Sequence, residues 1–130
     1  MSATKILVAD DEAHVTNVVA LKLRKAGFDV VTAGNGAEAL EQAKAQRFGL
    51  VITDCQMPEM DGLALCQRLR DDPDTCEIPA IMLTGRGFEI SEADTQATNI
   101  RRILPKPFSP REVLATVQEL LAAEPAASQA

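Results

Sequence analysis

The chain has 130 residues, of which 46% are hydrophobic and 25% charged, a composition that favours one globular domain and excludes a disordered chain. The formal net charge is −6, so a basic surface for nucleic acid would have to form against the overall charge balance, and we expect no direct binding to nucleic acid. No stretch approaches the roughly 20 apolar residues of a membrane span, and the N-terminus has no signal-peptide pattern, so we expect a cytoplasmic protein without membrane contact.

Strand-like and helix-like segments alternate along the chain. The pattern predicts, in order, a strand at 5–10, a helix at 12–26, a strand at 29–33, a helix at 37–46, a strand at 50–54, a helix at 62–70, a strand at 80–84, a short or mobile helix within 85–102, a strand at 103–105 and a helix at 109–123. Several of the strands are apolar throughout, which is typical of strands that are buried on both faces.

This alternation predicts an α/β fold. Because strands and helices follow each other in units of roughly 20–30 residues, the strands should be parallel and the helices should cover both faces of one sheet. Right-handed crossovers then favour a doubly wound, five-stranded sheet with the strand order 2-1-3-4-5. In such sheets ligands bind at the carboxyl ends of the strands.

Polar residues stand at those carboxyl ends. Asp10 and Asp11 follow the first strand, Asp54 ends the third, Thr84 ends the fourth and Lys106 follows the fifth. Carboxylates that lie close together repel each other, and a hard divalent cation such as Mg²⁺ relieves this repulsion. The three cysteines are odd in number and form no C-x-x-C pair, so we expect free thiols and no zinc site or disulfide.

Such a cluster is suited to phosphoryl transfer. A lysine, a hydroxyl and a bound Mg²⁺ can each neutralise or bond one oxygen of a transferred phosphoryl group. A carboxylate can act as the nucleophile, and Asp54 is the best candidate because its strand ends there and a turn at Met57 and Pro58 follows.

Together these motifs resemble the receiver domain of two-component response regulators, over almost the whole chain. The resemblance rests on four separated motifs in the expected order, namely Asp10-Asp11-Glu12, Asp54 with the turn at 57–62, Thr84-Gly85 and Lys106-Pro107-Phe108. It implies a flavodoxin-like fold and a set of site residues: Asp54 as the phosphoacceptor, Asp10, Asp11, Asp54 and the backbone carbonyl of Gln56 as ligands of Mg²⁺, Lys106 as the phosphate-pairing lysine and Thr84 as the switch hydroxyl. It also implies a cis peptide bond between Lys106 and Pro107.

The sequence departs from the family pattern at three places. Ile103 stands where the family usually has an aromatic switch residue, and residues 97–100 lack the usual Gly-Ala pair. Arg86, two residues after Thr84, is placed where its side chain could overhang the phosphorylation site. With Gln56, it could tune hydrolysis of the aspartyl phosphate.

The resemblance implies a signalling switch that a histidine kinase or histidine phosphotransfer protein phosphorylates, with a downstream protein or a separate output domain as its target. We expect a monomer or weak dimer that catalyses only its own phosphorylation and dephosphorylation. Two alternatives stay open: a phosphorylation-independent adaptor, and a Mg²⁺-dependent phosphatase with an aspartate nucleophile. We assign residues 1–123 to the receiver domain and residues 124–130 to a tail or the start of a linker.

Overall fold

A computed structural model describes residues 4–85, 90–106 and 109–123 of the chain. Within these residues five strands alternate with five helices. Their bounds are β1 Lys5–Ala9, α1 Ala13–Lys25, β2 Asp29–Ala33, α2 Gly36–Ala45, β3 Leu50–Asp54, α3 Gly62–Asp71, β4 Ala80–Thr84, α4 Glu92–Gln96, β5 Ile100–Pro105 and α5 Pro110–Ala123.

The strands form one parallel sheet in the order β2-β1-β3-β4-β5, as predicted. Each residue of β3 and β4 is buried. Strands that are covered on both faces need apolar side chains at successive positions, which explains why these two segments show no alternation in the sequence.

Helices cover both faces of the sheet and create two main hydrophobic cores. On one face, side chains of α1 and α5 pack against the sheet through Val19, Leu23, Val113, Val117 and Leu120. On the other face, α2 and α3 pack through Ala39, Ala43, Leu65 and Leu69. The doubly wound fold is therefore confirmed.

The fifth strand is longer than predicted. It begins at Ile100, three residues before the predicted start, and Ile100 is buried and pairs with Ala80. A shift of register follows, because Ile81 pairs with Arg102. The sequence hides this start because Arg101 and Arg102 are exposed on an edge strand and resemble a solvated loop. The fourth helix is short, as expected, with five residues.

Some predictions fall on residues that the structure does not describe. The side chain of Arg86, the peptide bond between Lys106 and Pro107, and the predicted tail from residue 124 lie outside the described residues. The boundary of the receiver domain at residue 123 stays a prediction. Among the described helices, none is both long enough and apolar enough to cross a membrane.

Candidate functional site

The register of the sheet brings the predicted acids together. Ala9 of β1 pairs with Thr53 of β3, so the next residue of each chain segment, Asp10 and Asp54, emerges at the same edge. Asp11 follows directly in the loop before α1. Carboxylate oxygens of Asp10, Asp11 and Asp54 all lie within 4.8 Å of one another. Asp10 and Asp54 are buried, whereas Asp11 is exposed, so the cluster opens to solvent on the side of Asp11.

Lys106 places one positive charge among these acids. Its Nζ lies 3.1 Å from Oδ1 of Asp54 and 3.8 Å from Oδ2 of Asp10. Glu12 adds a further ion pair, with Oε1 at 3.6 Å from the same ammonium. No role was predicted for Glu12, although its place directly after Asp10 and Asp11 in the sequence was the available signal.

Burial sets the protonation behaviour of this cluster. Desolvation raises the pKa of Asp10 to about 6, although the backbone N–H of Glu12 donates a hydrogen bond of 3.0 Å to its Oδ1. Desolvation also raises the pKa of Asp54, against the opposing effect of Lys106. Burial opposes the charge of Lys106, but its hydrogen bond to Asp54 and the other carboxylates outweigh burial and raise its pKa. One cation therefore does not fully compensate the buried acids.

One oxygen of this cluster lacks a hydrogen-bond partner. Oδ2 of Asp10 is buried, and among the described residues none bonds to it, since the ammonium at 3.8 Å is too distant. A buried carboxylate oxygen without a partner is costly. Together with three carboxylates that can converge on one point, this oxygen makes the site fit a hard divalent cation such as Mg²⁺.

Thr84 and Gln56 lie at the same edge of the sheet, at the end of β4 and in the loop after β3. Thr84 is buried at the end of β4, next to β3, and its backbone carbonyl accepts a hydrogen bond of 2.7 Å from the backbone N–H of Lys106. Gln56 is exposed in the loop that begins two residues after Asp54. The structure thus brings the predicted residues to one edge of the sheet, while their chemical roles stay predictions.

The base of the loop after Asp54 is closed by Gly62. Its backbone N–H donates a hydrogen bond of 2.9 Å to the carbonyl of Cys55. A β-carbon on Gly62 would fall on the backbone carbonyl oxygen of Asp54 and lie 3.0 Å from Sδ of Met82. Asp61 caps α3 by accepting a hydrogen bond of 2.8 Å from the N–H of Ala64. Only glycine permits this close approach of α3 to the end of β3.

Position 103 and the cysteines have simple environments. Ile103 lies on β5 with 40% of its surface exposed, so a non-aromatic side chain occupies the outer surface of the edge strand.

All three cysteines are free, as predicted. Burial raises the pKa of Cys55 to about 12, with a further contribution from the charge of Asp54, so its thiol is not activated for redox chemistry.

Comparisons with known proteins agree with this geometry. The family model described as response regulator receiver domain matches residues 6–118. The chain is 36% identical over 117 residues to the alkaline phosphatase synthesis transcriptional regulatory protein PhoP of Bacillus subtilis, covering 90% of this chain and 48% of that protein. It is 38% identical to the probable transcriptional regulator ycf27 of Pyropia yezoensis, covering 90% of this chain and 47% of that protein.

A solved structure extends the similarity to the whole fold. The chemotaxis response regulator CheY4 of Vibrio cholerae superposes with a TM-score of 0.84 at 32% identity, covering 92% of this chain and all of that one. In contrast, the chain spans about half the length of the curated relatives it matches. The match of the family model over most of the sequence, with the acidic edge of the sheet inside it, shows that this chain belongs to the response regulator receiver domain family.

Proposed function

We propose that the chain is a phosphorylation-dependent signalling switch in which Asp54 accepts a phosphoryl group from a phosphohistidine. The observation that carries the proposal is the contact of the Asp54 carboxylate with the Lys106 ammonium, at 3.1 Å, inside a cluster of acids at the carboxyl edge of a receiver fold. The donor would be a sensor histidine kinase or a histidine phosphotransfer protein, the partners that membership of the family implies.

The transfer exchanges one bond for another. A carboxylate oxygen of Asp54 attacks phosphorus while the P–N bond to the donor imidazole breaks, and the electron pair of that bond stays on the nitrogen, which takes up a proton. β3 holds Asp54 rigidly because each of its residues is buried. Lys106 would donate a hydrogen bond to an oxygen of the transferred group, and the hydroxyl of Thr84 could donate another.

The acids of the site would hold Mg²⁺. Asp10, Asp11 and Asp54 would supply carboxylate oxygens, and the exposed loop at Gln56 would supply its backbone carbonyl. When bound, the ion would neutralise charge on the phosphoryl oxygens. The unpartnered Oδ2 of Asp10 supports this assignment, because no described residue forms a hydrogen bond with that oxygen.

The output would be a change in protein binding. Thr84 ends β4 beside the edge strand, so its movement toward the phosphoryl group would alter the surface formed by α4 and β5. Because the curated relatives extend well beyond the matched region, the target is either a separate protein or an output domain in the same polypeptide. We further propose a cytoplasmic monomer or weak dimer, with no catalysis beyond its own phosphorylation and dephosphorylation.

Intact-mass measurement tests the proposal. The protein is incubated with acetyl phosphate or phosphoramidate, with Mg²⁺ or with a chelator. We expect a labile mass gain that requires Mg²⁺ and is absent in Asp54→Asn. Asp71→Asn is a matched control, since Asp71 is an exposed aspartate at the end of α3, outside the acidic cluster, and it should keep the mass gain.

The other outcomes separate the alternatives. If none of the donors produces a mass gain, the switch is refuted and the phosphorylation-independent adaptor is favoured; the exposed Ile103 and the five-residue α4 agree with that function. Steady hydrolysis of a small phosphoester would instead identify a phosphatase. Haloacid-dehalogenase-type phosphatases usually carry a second acid two residues after the nucleophile, where this chain has Gln56.

A further inference from the structure

The loop between β3 and α3 is short and tightly constrained. It leaves the sheet after Cys55 and returns at Gly62, and the hydrogen bond between these two residues closes its base at 2.9 Å. Six residues, 56–61, lie between them. The first of the six is Gln56, whose backbone carbonyl is the predicted fourth ligand of the metal.

The far side of this loop is a tight turn. The backbone N–H of Met60 donates a hydrogen bond of 2.7 Å to the carbonyl of Pro58. Glu59, between them, has φ of 69°, a left-handed conformation that is uncommon for a residue other than glycine. The proline ring also fixes its own φ. Because the loop is short, closed at its base and held by this turn, we expect a displacement of Met60 to reach Gln56, four residues earlier.

Met60 is seated against the first residue of α2, Gly36. Gly36 is buried, and a β-carbon there would fall on the carbonyl oxygen of Met60 and lie 2.8 Å from both its carbonyl carbon and its Cβ. Since carbon atoms pack at about 3.5–4.0 Å, any side chain at position 36 would displace the loop or the helix by on the order of 1 Å. In contrast, a β-carbon on Gly34, two residues earlier, would meet no heavy atom within 4 Å.

We propose that Gly36 is a positioning residue for the metal site: its missing side chain lets the β3–α3 loop seat against α2 and so fixes the carbonyl of Gln56 beside the acidic cluster. The proposal rests on the proposed function, because it concerns the Mg²⁺ site assigned there. In this proposal α2 provides none of the assigned metal ligands, but it contacts the β3–α3 loop, which would provide the carbonyl of Gln56.

The pair Gly36→Ala and Gly34→Ala tests this assignment. Both variants add one methyl group near the start of α2, Gly34 in the connection before it and Gly36 at its first residue, but only the methyl group at position 36 meets the loop. The first readout needs no metal: backbone amide resonances of Gln56 and Met57 should shift in Gly36→Ala and stay in place in Gly34→Ala. The second readout is Mg²⁺ affinity by titration calorimetry, since the chain has neither Trp nor Tyr to report binding by fluorescence.

We expect Mg²⁺ affinity to fall roughly 10–100-fold in Gly36→Ala, the usual effect of disturbing groups that orient metal ligands, and to stay at the wild-type value in Gly34→Ala. Urea unfolding of both variants separates this effect from lost stability. The nearest atom to the added β-carbon is the backbone carbonyl oxygen of Met60, which no side-chain change at position 60 removes. If Gly36→Ala does not fold, the pair Met60→Gly and Met60→Ala replaces it: only Met60→Gly removes the Cβ that faces Gly36, and it should shift the Gln56 resonances.

Three outcomes of these measurements would contradict part or all of the role proposed for Gly36. Unshifted Gln56 resonances and wild-type affinity in Gly36→Ala would overturn the proposal, even if Asp54 is phosphorylated normally. Affinity that falls while the Gln56 and Met57 resonances stay in place would assign the effect of Gly36→Ala to the stability of α2 and not to the loop, and would overturn the proposal. Shifted resonances in a protein whose wild type binds no Mg²⁺ would preserve the contact between Gly36 and the loop but overturn the metal site, and the proposed function with it.

Discussion

Replacing Asp10 by asparagine should stabilise the metal-free protein at neutral pH. Asp10 is buried, and its Oδ2 lacks a hydrogen bond in the described part of the chain. Asparagine has nearly the same shape and keeps an oxygen that can accept the hydrogen bond from the N–H of Glu12. The variant therefore removes a buried negative charge while leaving the local geometry in place.

The expected gain follows from the pKa of Asp10. Burial raises this pKa from 3.8 to about 6, so the folded state binds the proton more tightly than the unfolded chain does. Since one pKa unit corresponds to about 1.4 kcal/mol, ionised Asp10 lowers the free energy of unfolding by about 3 kcal/mol. The full penalty applies above pH 6. The penalty shrinks as the pH falls toward 3.8, because Asp10 takes up its proton at a higher pH in the folded state than in the unfolded chain.

Urea unfolding followed by circular dichroism measures this difference. In a chelator at pH 7, Asp10→Asn should be about 3 kcal/mol more stable than the wild type, and the two proteins should converge near pH 4. Asp11→Asn is the control, since it removes a neighbouring acid that is exposed, and its effect should stay below about 1 kcal/mol.

Mg²⁺ should reverse the order. An ion that binds only the folded state adds about 4.1 kcal/mol at a concentration of roughly 1,000 times its Kd, which exceeds the penalty of about 3 kcal/mol, and this gain requires the carboxylate that Asp10→Asn lacks. Equal stability of wild type and Asp10→Asn in chelator at pH 7, or a difference that does not change between pH 7 and pH 4, would show that burial of the ionised Asp10 carboxylate does not destabilise the fold.

Three further predictions concern the surroundings of the site. Lys106→Ala removes the ammonium at 3.1 Å from Asp54 and should slow phosphorylation by acetyl phosphate roughly 100-fold at unchanged fold, as judged by circular dichroism. Gly62→Ala should lower the free energy of unfolding by about 1–3 kcal/mol, because its β-carbon would fall on the carbonyl oxygen of Asp54; wild-type stability in urea would contradict this contact. At pH 8 a thiol reagent should modify only Cys76 in the folded protein, because the other two cysteines are buried and burial raises their pKa values to about 12; mass spectrometry would count one adduct, and three in denaturant.

The sequence predicts the first four strands to within one residue but places the start of β5 three residues too late. β3 and β4 have the predicted bounds because strands covered on both faces must be apolar at every position. The start of β5 was predicted too late, because the exposed Arg101 and Arg102 carry no apolar signal. An edge strand has neighbours on one side only, so its pairing with β4, and not its own composition, defines where it begins.

For the site, the sequence predicts which residues lie at the carboxyl edge of the sheet, but it does not predict the side-chain and loop contacts among them. Asp10, Asp54 and Lys106 could be assigned to one edge because parallel strands end together. The ion pair between Glu12 and Lys106 and the seat of Met60 on Gly36 depend on loop shapes, which hydrophobic periodicity does not encode.

The strands that carry Asp54 and Lys106 occupy different positions in the sheet, so their backbone amide protons should exchange with solvent differently. β3, which ends in Asp54, has a strand on either side and is buried throughout, so its amides should exchange only when the whole domain unfolds. β5, which leads to Lys106, has one neighbour and exposed residues at 101–103, so its amides should exchange through local opening. When β5 opens locally, Lys106 should move away from the site while β1 and β3 stay paired. The acidic cluster of Asp10 and Asp54 should therefore keep its geometry after it has lost the positive charge of Lys106.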